Sequence, residues 1–282
     1  MNFEALQARD FGQAPHVYTA KDTMLYALGC GAGADPMDEA DLRFVTDRDL
    51  VALPSMASVL ATPGFWMTDP AVEIDHVRLL HGEQAIRLMK PVPTAGCMIP
   101  TFRALGVKDR GEGKGATLYF EKLLRDEAGE EVALVHSTYM LRGDGGCGSH
   151  GTFLDAPPPM PESAPDRVIE IPTLPRQALL YRLNGDPNPL HWDPAVARAA
   201  GFERPIMHGL GAMGIVCHAL VRAYCESDPT RATAMSLRFA SPFYPGETMV
   251  VECFEDSGNL RFRATAKERG KLVLDLGVLA VA

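Results

Sequence analysis

Apolar and polar positions change their period twice along the chain. From residue 72 the apolar residues alternate with polar ones, the period of a half-buried strand, in runs over 77–81, 85–89, 98–108, 116–125 and 132–142. Asp126-Glu127-Ala128-Gly129 separates the last two as a turn. Ahead of them, 22–33 predicts a short apolar helix capped by Asp22 and dissolving into glycines. A second helix is predicted over 54–65, with Met56, Val59 and Leu60 as core and Pro63-Gly64 as its stop. After residue 166 the order repeats. A strand over 167–171 and a helical start over 178–183 lead into an irregular segment, and Asp193-Pro194 then begins a short helix that Gly201 ends. A longer helix starts at His208-Gly209, with Leu210, Met213, Cys217, Leu220, Val221 and Tyr224 recurring at three- and four-residue steps. Gly211, Ala212, Gly214 and Ala219 between them allow close approach of a sheet, so this helix is expected to be buried. Strands follow over 233–240, 248–254, 260–267 and 272–281, with turns at Pro245-Gly246, Ser257-Gly258 and Arg269-Gly270.

Helices followed by a meander of strands, twice over, is an α+β pattern. No strand-helix alternation supports a doubly wound sheet, and Gly111-Glu112-Gly113-Lys114-Gly115 leads into a strand, which rules it out as a phosphate loop. Five glycines and five prolines punctuate residues 143–166, which read as a linker. The expected division is a first half over 1–142, the linker over 143–166 and a second half over 167–282. Tyr26-Ala27-Leu28-Gly29-Cys30-Gly31 echoes Tyr181-Arg182-Leu183-Asn184-Gly185-Asp186, and the order of such echoes favours a duplicated unit. The acid and base described next occur only in the second copy, so the first is expected to shape a pocket.

Tyr181 opens the stretch with the most chemistry, Gly185-Asp186-Pro187-Asn188-Pro189-Leu190-His191. On a continuous helix, Asp186 and His191 would point about 140° apart. Pro187 and Pro189 break that helix, and an irregular turn brings a carboxylate and an imidazole to one small site, as acid-base work on a water molecule requires. Local turn formation alone also explains Asp186-Pro187 and Asn188-Pro189. His208 reads equally as a core histidine or a helix cap. His16, His76, His136, His150 and His218 read as structural or surface residues, and Asp193 as a helix cap.

Composition narrows the remaining choices. With 46% hydrophobic and 22% charged residues the chain is an ordinary globular protein. A net charge of −9 argues against non-specific nucleic-acid binding and against anionic membranes. The six cysteines form no CxxC pair, so neither a zinc ribbon nor a disulfide framework is indicated and a reducing compartment is expected. With no apolar run of membrane-spanning length, no secretory leader at Met1-Asn2-Phe3 and no peroxisomal address at Leu279-Ala280-Val281-Ala282, the cytoplasm is the expected location.

The block from Tyr181 to His191, followed by Pro205-Ile206-Met207-His208-Gly209-Leu210, resembles the hydratase 2 (MaoC-like) family of R-specific 2-enoyl-CoA hydratases. The first half is similar to the non-catalytic half of the peroxisomal multifunctional type 2 hydratases in Leu25-Tyr26-Ala27-Leu28-Gly29, Leu80-His81-Gly82-Glu83-Gln84 and Lys90-Pro91. The resemblance implies a double hot-dog fold, in which each half wraps a curved antiparallel sheet around a central helix. It implies Asp186 and His191 as a catalytic dyad, Asn188 as its support and the Gly209 amide as oxyanion donor. It also places His81, Gly82, Arg110, Pro187, Pro189, Leu190 and Phe239 at the acyl-CoA substrate, Arg110 standing where relatives carry lysine. Arg238, Arg261 and Arg263 are further candidates for the CoA phosphates, or belong to a solvated sheet face. No metal or cofactor is implied, coenzyme A being part of the substrate, and a homodimer is expected. Two other readings are weighed, a hot-dog thioesterase and a non-catalytic acyl-CoA-binding module.

Overall fold

The computed structural model describes residues 1–256 and 258–282. Its elements, in order, are α1 (Phe3–Ala8), β1 (His16–Tyr18), α2 (Ala20–Gly29), α3 (Glu39–Leu42), β2 (Leu79–Leu88), β3 (Gly96–Asp109), β4 (Ala116–Arg125), β5 (Glu131–Leu141), β6 (His150–Gly151) and β7 (Arg167–Pro172). The second half continues with α4 (Gln177–Tyr181), α5 (Pro194–Ala199), α6 (Gly209–Tyr224), β8 (Ala232–Phe239), β9 (Thr248–Asp256), β10 (Asn259–Ala266) and β11 (Lys271–Val281). Ten of the strands pair in the order β1-β3-β4-β5-β2-β8-β11-β10-β9-β7, and β6 joins the edge of β3. Every pairing is antiparallel, and the two half-sheets meet at the β2–β8 seam, where Glu83 lies opposite Arg238. The expected Ser257-Gly258 turn includes Ser257, which lies outside the described residues.

The N-terminal elements differ in detail from the periodicity. Helix α2 begins two residues before Asp22, with Thr19 as N-cap; the Asp22 carboxylate reaches back from the first turn and accepts the Thr19 N–H at 2.8 Å. The helix stops at Gly29, and Gly31 and Gly33 take left-handed φ values of 90° and 75°. The helix predicted over 54–65 is only a 3₁₀ turn, Pro54–Ser58. A cation decides this. Lys122 projects inward from β4 and its ammonium donates to the carbonyls of Ala57, Ser58 and Leu60 at 3.0, 2.9 and 2.7 Å. Those are acceptors that a continuing helix would use for its own N–H groups. Burial pushes the Lys122 amine down to about 7, and three close acceptors work in the opposite sense, holding the proton. The first half thus fills the space beside its sheet with ten residues of α2 and a tight turn, while the second supplies the sixteen-residue α6.

Strand β2 runs unbroken where two shorter strands were expected, 77–81 and 85–89. A bulge at Gly82 shifts the register between His81 and Glu83, so the alternation of inward and outward side chains changes phase there and looks like a break.

Helix α6 is the centre of the main core. Met213, Ile215, Val216, Leu220 and Val221 are each at most 1% exposed, and burying each such side chain contributes about 1.5–3 kcal/mol. Its small residues let other segments close on it: a Cβ at Gly214 would lie 2.4 Å from the Cys30 sulfur of the first half, and one at Gly211 would lie 3.1 Å from the Tyr181 ring of α4. Farther along, the His218 imidazole bonds the buried Asp41 carboxylate at 2.5 Å. The long helix is therefore clamped to the opposite half by packing at one end and a buried hydrogen bond at the other.

Candidate active site

The loop between α4 and α5 is built by local rules. Gly185 takes φ 102°, a left-handed conformation open to glycine, and ends the 3₁₀ turn Arg182–Asn184 that extends α4. Asn188 caps a second turn, Pro189–His191, its side-chain oxygen accepting the Leu190 N–H at 3.0 Å, while Pro189 occupies the first position. Asp193 caps α5 in the same way, accepting the Ala195 N–H at 2.8 Å. Trp192 closes the loop on itself by donating its indole N–H to the Pro187 carbonyl at 2.9 Å. The prolines prevent a helix and the caps set the turn, which brings Asp186 and His191 together.

The ligating atoms of Asp186, His191 and His208 all lie within 4.8 Å of one another. His191 is 9% exposed and its Nδ1 donates to the Ile206 carbonyl at 2.9 Å, so the Nε2 lone pair is left free. Burial lowers its basicity, opposed by the Ile206 bond and the Asp186 charge. His208, 1% exposed, stacks on the His191 ring with centroids 3.8 Å apart and donates from Nε2 to the Asp186 backbone carbonyl at 3.3 Å. Burial, with the adjacent His191 second, pushes His208 down to about 3, so it is a neutral spacer that holds the backbone of one residue and the ring of the other. Asp186 also accepts the Asn188 N–H at 3.2 Å, which orients its carboxylate. Among the described residues these three form the set that could meet a metal ion, although the two imidazoles are stacked on each other and each has one nitrogen engaged with a backbone carbonyl.

Gly209 follows His208 as the first residue of α6, where helix geometry leaves N–H groups without intrahelical partners. Phe239 reaches to 3.2 Å from where a Gly209 Cβ would be, so a larger residue would press on that ring. The same Phe239 lines a cavity of about 680 Å³ that also takes in Gly82, Arg110, Lys108, Tyr119 and Arg238. His81 sits behind it, between the rings of Phe239 and Tyr139 at 4.9 and 5.1 Å, and burial pushes it down to about 4.

Of the residues singled out by sequence, Asp186, His191 and Asn188 share one loop, Gly209 follows the His208 that touches both Asp186 and His191, and Phe239 packs against Gly209 and His81 and lies on the cavity wall with Gly82 and Arg110. Pro187, Pro189 and Leu190 shape the loop but are not on that wall. Arg261 is not available to a phosphate, because it is buried and bonded to the carbonyls of Gly277, Pro158 and Pro159. Arg263 is paired with Glu252, whereas Arg238 pairs with Glu83 at the cavity. Sequence reading missed the inter-half segment, which supplies Leu154, Asp155 and Ala156 to the wall. Its composition signals a linker, and only long-range contacts show otherwise.

Comparison with known proteins adds the following. The MaoC like domain matches residues 158–275, and the MFE-2 hydratase 2 N-terminal domain matches residues 16–143. The peroxisomal enoyl-CoA hydratase 2 of Arabidopsis thaliana is 36% identical, over 97% of this chain and 93% of its own length. The solved MaoC-like dehydratase of Phytophthora capsici is 31% identical and superposes with a TM-score of 0.87 over 100% of this chain and 99% of its own. A Mycobacterium tuberculosis protein described as having a double hotdog fold, 14% identical, superposes with a TM-score of 0.59 over 95% of this chain and 93% of its own.

Proposed function

Since the chain belongs to the MaoC-like hydratase 2 family, with both halves matched and a double hot-dog fold, we propose that it adds water reversibly to a trans-2-enoyl-CoA to give the (3R)-3-hydroxyacyl-CoA. It is a hydro-lyase, run in either direction. The observation that carries this reading is the convergence of the Asp186 carboxylate and a neutral His191 beside the N-terminus of α6.

In this reading a water is held between Asp186 and His191 Nε2. The Nδ1–H bond to Ile206 selects the tautomer that leaves Nε2 basic, and burial keeps the ring neutral so that it can receive a proton. The water oxygen bonds to C3, one of its protons passes to the dyad, and the dyad returns a proton to C2. Between the two transfers, negative charge develops on the thioester oxygen, where the Gly209 N–H and the positive end of α6 stabilise it. The first half supplies pocket wall through Gly82, Tyr119 and Arg110, which keeps the chemistry in the second. All six cysteines are free thiols, in keeping with a reducing compartment, the cytoplasm or an organelle such as the one for which the Arabidopsis relative is named. No helix among the described residues is long and apolar enough to cross a membrane. A homodimer completes this reading.

The test follows the absorbance of the conjugated enoyl thioester alongside release of free thiol. Hydration consumes absorbance without thiol; prompt thiol release with no hydration would identify a thioesterase. Asp186→Asn and His191→Ala are each expected to lower kcat by about 10²–10⁴ while acyl-CoA binding persists. Unchanged turnover in either variant removes that residue from the mechanism.

A further inference from the structure

The segment between the halves is a fixed strap. His150 and Gly151 pair with Val107 and Gly106, and the Thr152 N–H donates to the Leu105 carbonyl at 2.8 Å. This contact is backbone on backbone. A Cβ at Gly106 would lie 2.4 Å from the Thr152 carbonyl oxygen, and one at Gly151 would lie 2.3 Å from that of Leu105, so both sides require glycine. A second anchor follows within ten residues: Arg261, 4% exposed, donates to the carbonyls of Pro158 and Pro159 at 2.7 and 3.2 Å. A buried guanidinium is costly unless its donors are satisfied, and here strap carbonyls satisfy it.

Between the anchors the strap turns toward the cavity. Leu154, Asp155 and Ala156 form part of its wall. Phe153, 40% exposed, stands with its ring 5.9 Å from that of Tyr119 and 5.9 Å from the Lys108 ammonium, two further cavity residues. Arg110 lines the same cavity, its guanidinium steadied by a 2.9 Å bond to Thr117. A half-exposed aromatic ring with one cation over it and a second on the adjoining cavity wall, held by anchors on either side, matches a purine nucleotide: the base stacks on the ring's other face and the phosphates meet the cations.

We infer that the strap is part of the substrate site, with Phe153 the platform for the adenine of the CoA thioester and Lys108 and Arg110 facing its phosphates. This rests on the acyl-CoA reading given above. It makes the strap a determinant of carrier specificity, because a thioester without the nucleotide gains nothing from Phe153.

The experiment titrates the full chain and its Phe153→Ala variant with adenosine 3′,5′-bisphosphate by calorimetry, and measures KM for one trans-2-enoyl group carried on CoA and on pantetheine. The expected result is about tenfold weaker bisphosphate binding and a similar rise in KM for the CoA thioester, with kcat and the pantetheine KM unchanged and Phe153→Trp restoring both. Equal bisphosphate affinity in wild type and Phe153→Ala, no bisphosphate binding by wild type, or a parallel rise in KM for the pantetheine thioester would overturn the inference. Binding that depends on Phe153 in a protein that hydrates neither thioester would sink the hydratase reading and leave the strap assignment standing.

Discussion

The seating of α6 against the first half places Gly209 beside the dyad, and it can be tested by adding one methyl group. In Gly214→Ala the new Cβ lies 2.4 Å from the Cys30 sulfur and 3.1 Å from the Tyr26 hydroxyl. Replacing glycine by alanine inside a helix is by itself favourable by about 1 kcal/mol. Forcing a carbon into a sulfur in a filled core costs about 1–3 kcal/mol, because neither α2 nor α6 can move without disturbing its other contacts. The net expectation is a loss of about 0–2 kcal/mol. Removing the sulfur reverses the balance: with Cys30→Ala the nearest part of residue 30 is its Cβ, 3.6 Å away, an ordinary contact. Gly214→Ala should therefore be neutral to stabilising in the Cys30→Ala background, with a coupling of about 2 kcal/mol. Urea unfolding of the four proteins measures it, the midpoints shifting while the slopes stay constant. An equal effect of Gly214→Ala in both backgrounds would refute the reasoning, since the Cβ would then not be meeting that sulfur.

Two further outcomes follow from buried charge. Lys122→Met strips the carbonyls of Ala57, Ser58 and Leu60 of their donor, at about 1–3 kcal/mol each, against the relief of no longer burying an ammonium; a net loss of about 2–4 kcal/mol is expected in urea, and a variant as stable as wild type would show that the turn needs no cation. His208 is held neutral down to about 3 in the folded chain but takes a proton near 6.5 when unfolded, so its contribution to stability is complete above about 6.5 and is lost as pH falls from there toward 3. Over that window wild type should lose ~1.4 kcal/mol per pH unit more than His208→Gln. Identical slopes for the two proteins would contradict it.

The loop carrying Asp186 and His191 was legible because its causes are local. Proline blocks helix, Asn188 and Asp193 cap within two residues, and Gly185 accepts a left-handed φ. The long helix and most strands were equally plain, since a period of 3.6 or 2 is written in neighbouring positions. Errors fell where a distant group intervened. Met56, Val59 and Leu60 have helical spacing, yet Lys122, 65 residues from Ala57, takes the carbonyls such a helix requires. The bulge at Gly82 is a property of the β2–β5 pairing and cannot be seen in either strand alone.

The sequence by itself determined most of the helices and strands, the α+β class of the chain, and that one carboxylate and one imidazole share a turn. Tertiary structure decided the electrostatic state and the surroundings of that pair. Ile206 selects the His191 tautomer from 15 residues away, His208 reaches back 22 residues to hold Asp186, and Arg261 anchors the strap at Pro158 across 103 residues. Caps, turns and periodicity act between near neighbours and can be read along the chain. Burial, tautomer and cavity walls depend on partners that only folding brings within bonding distance.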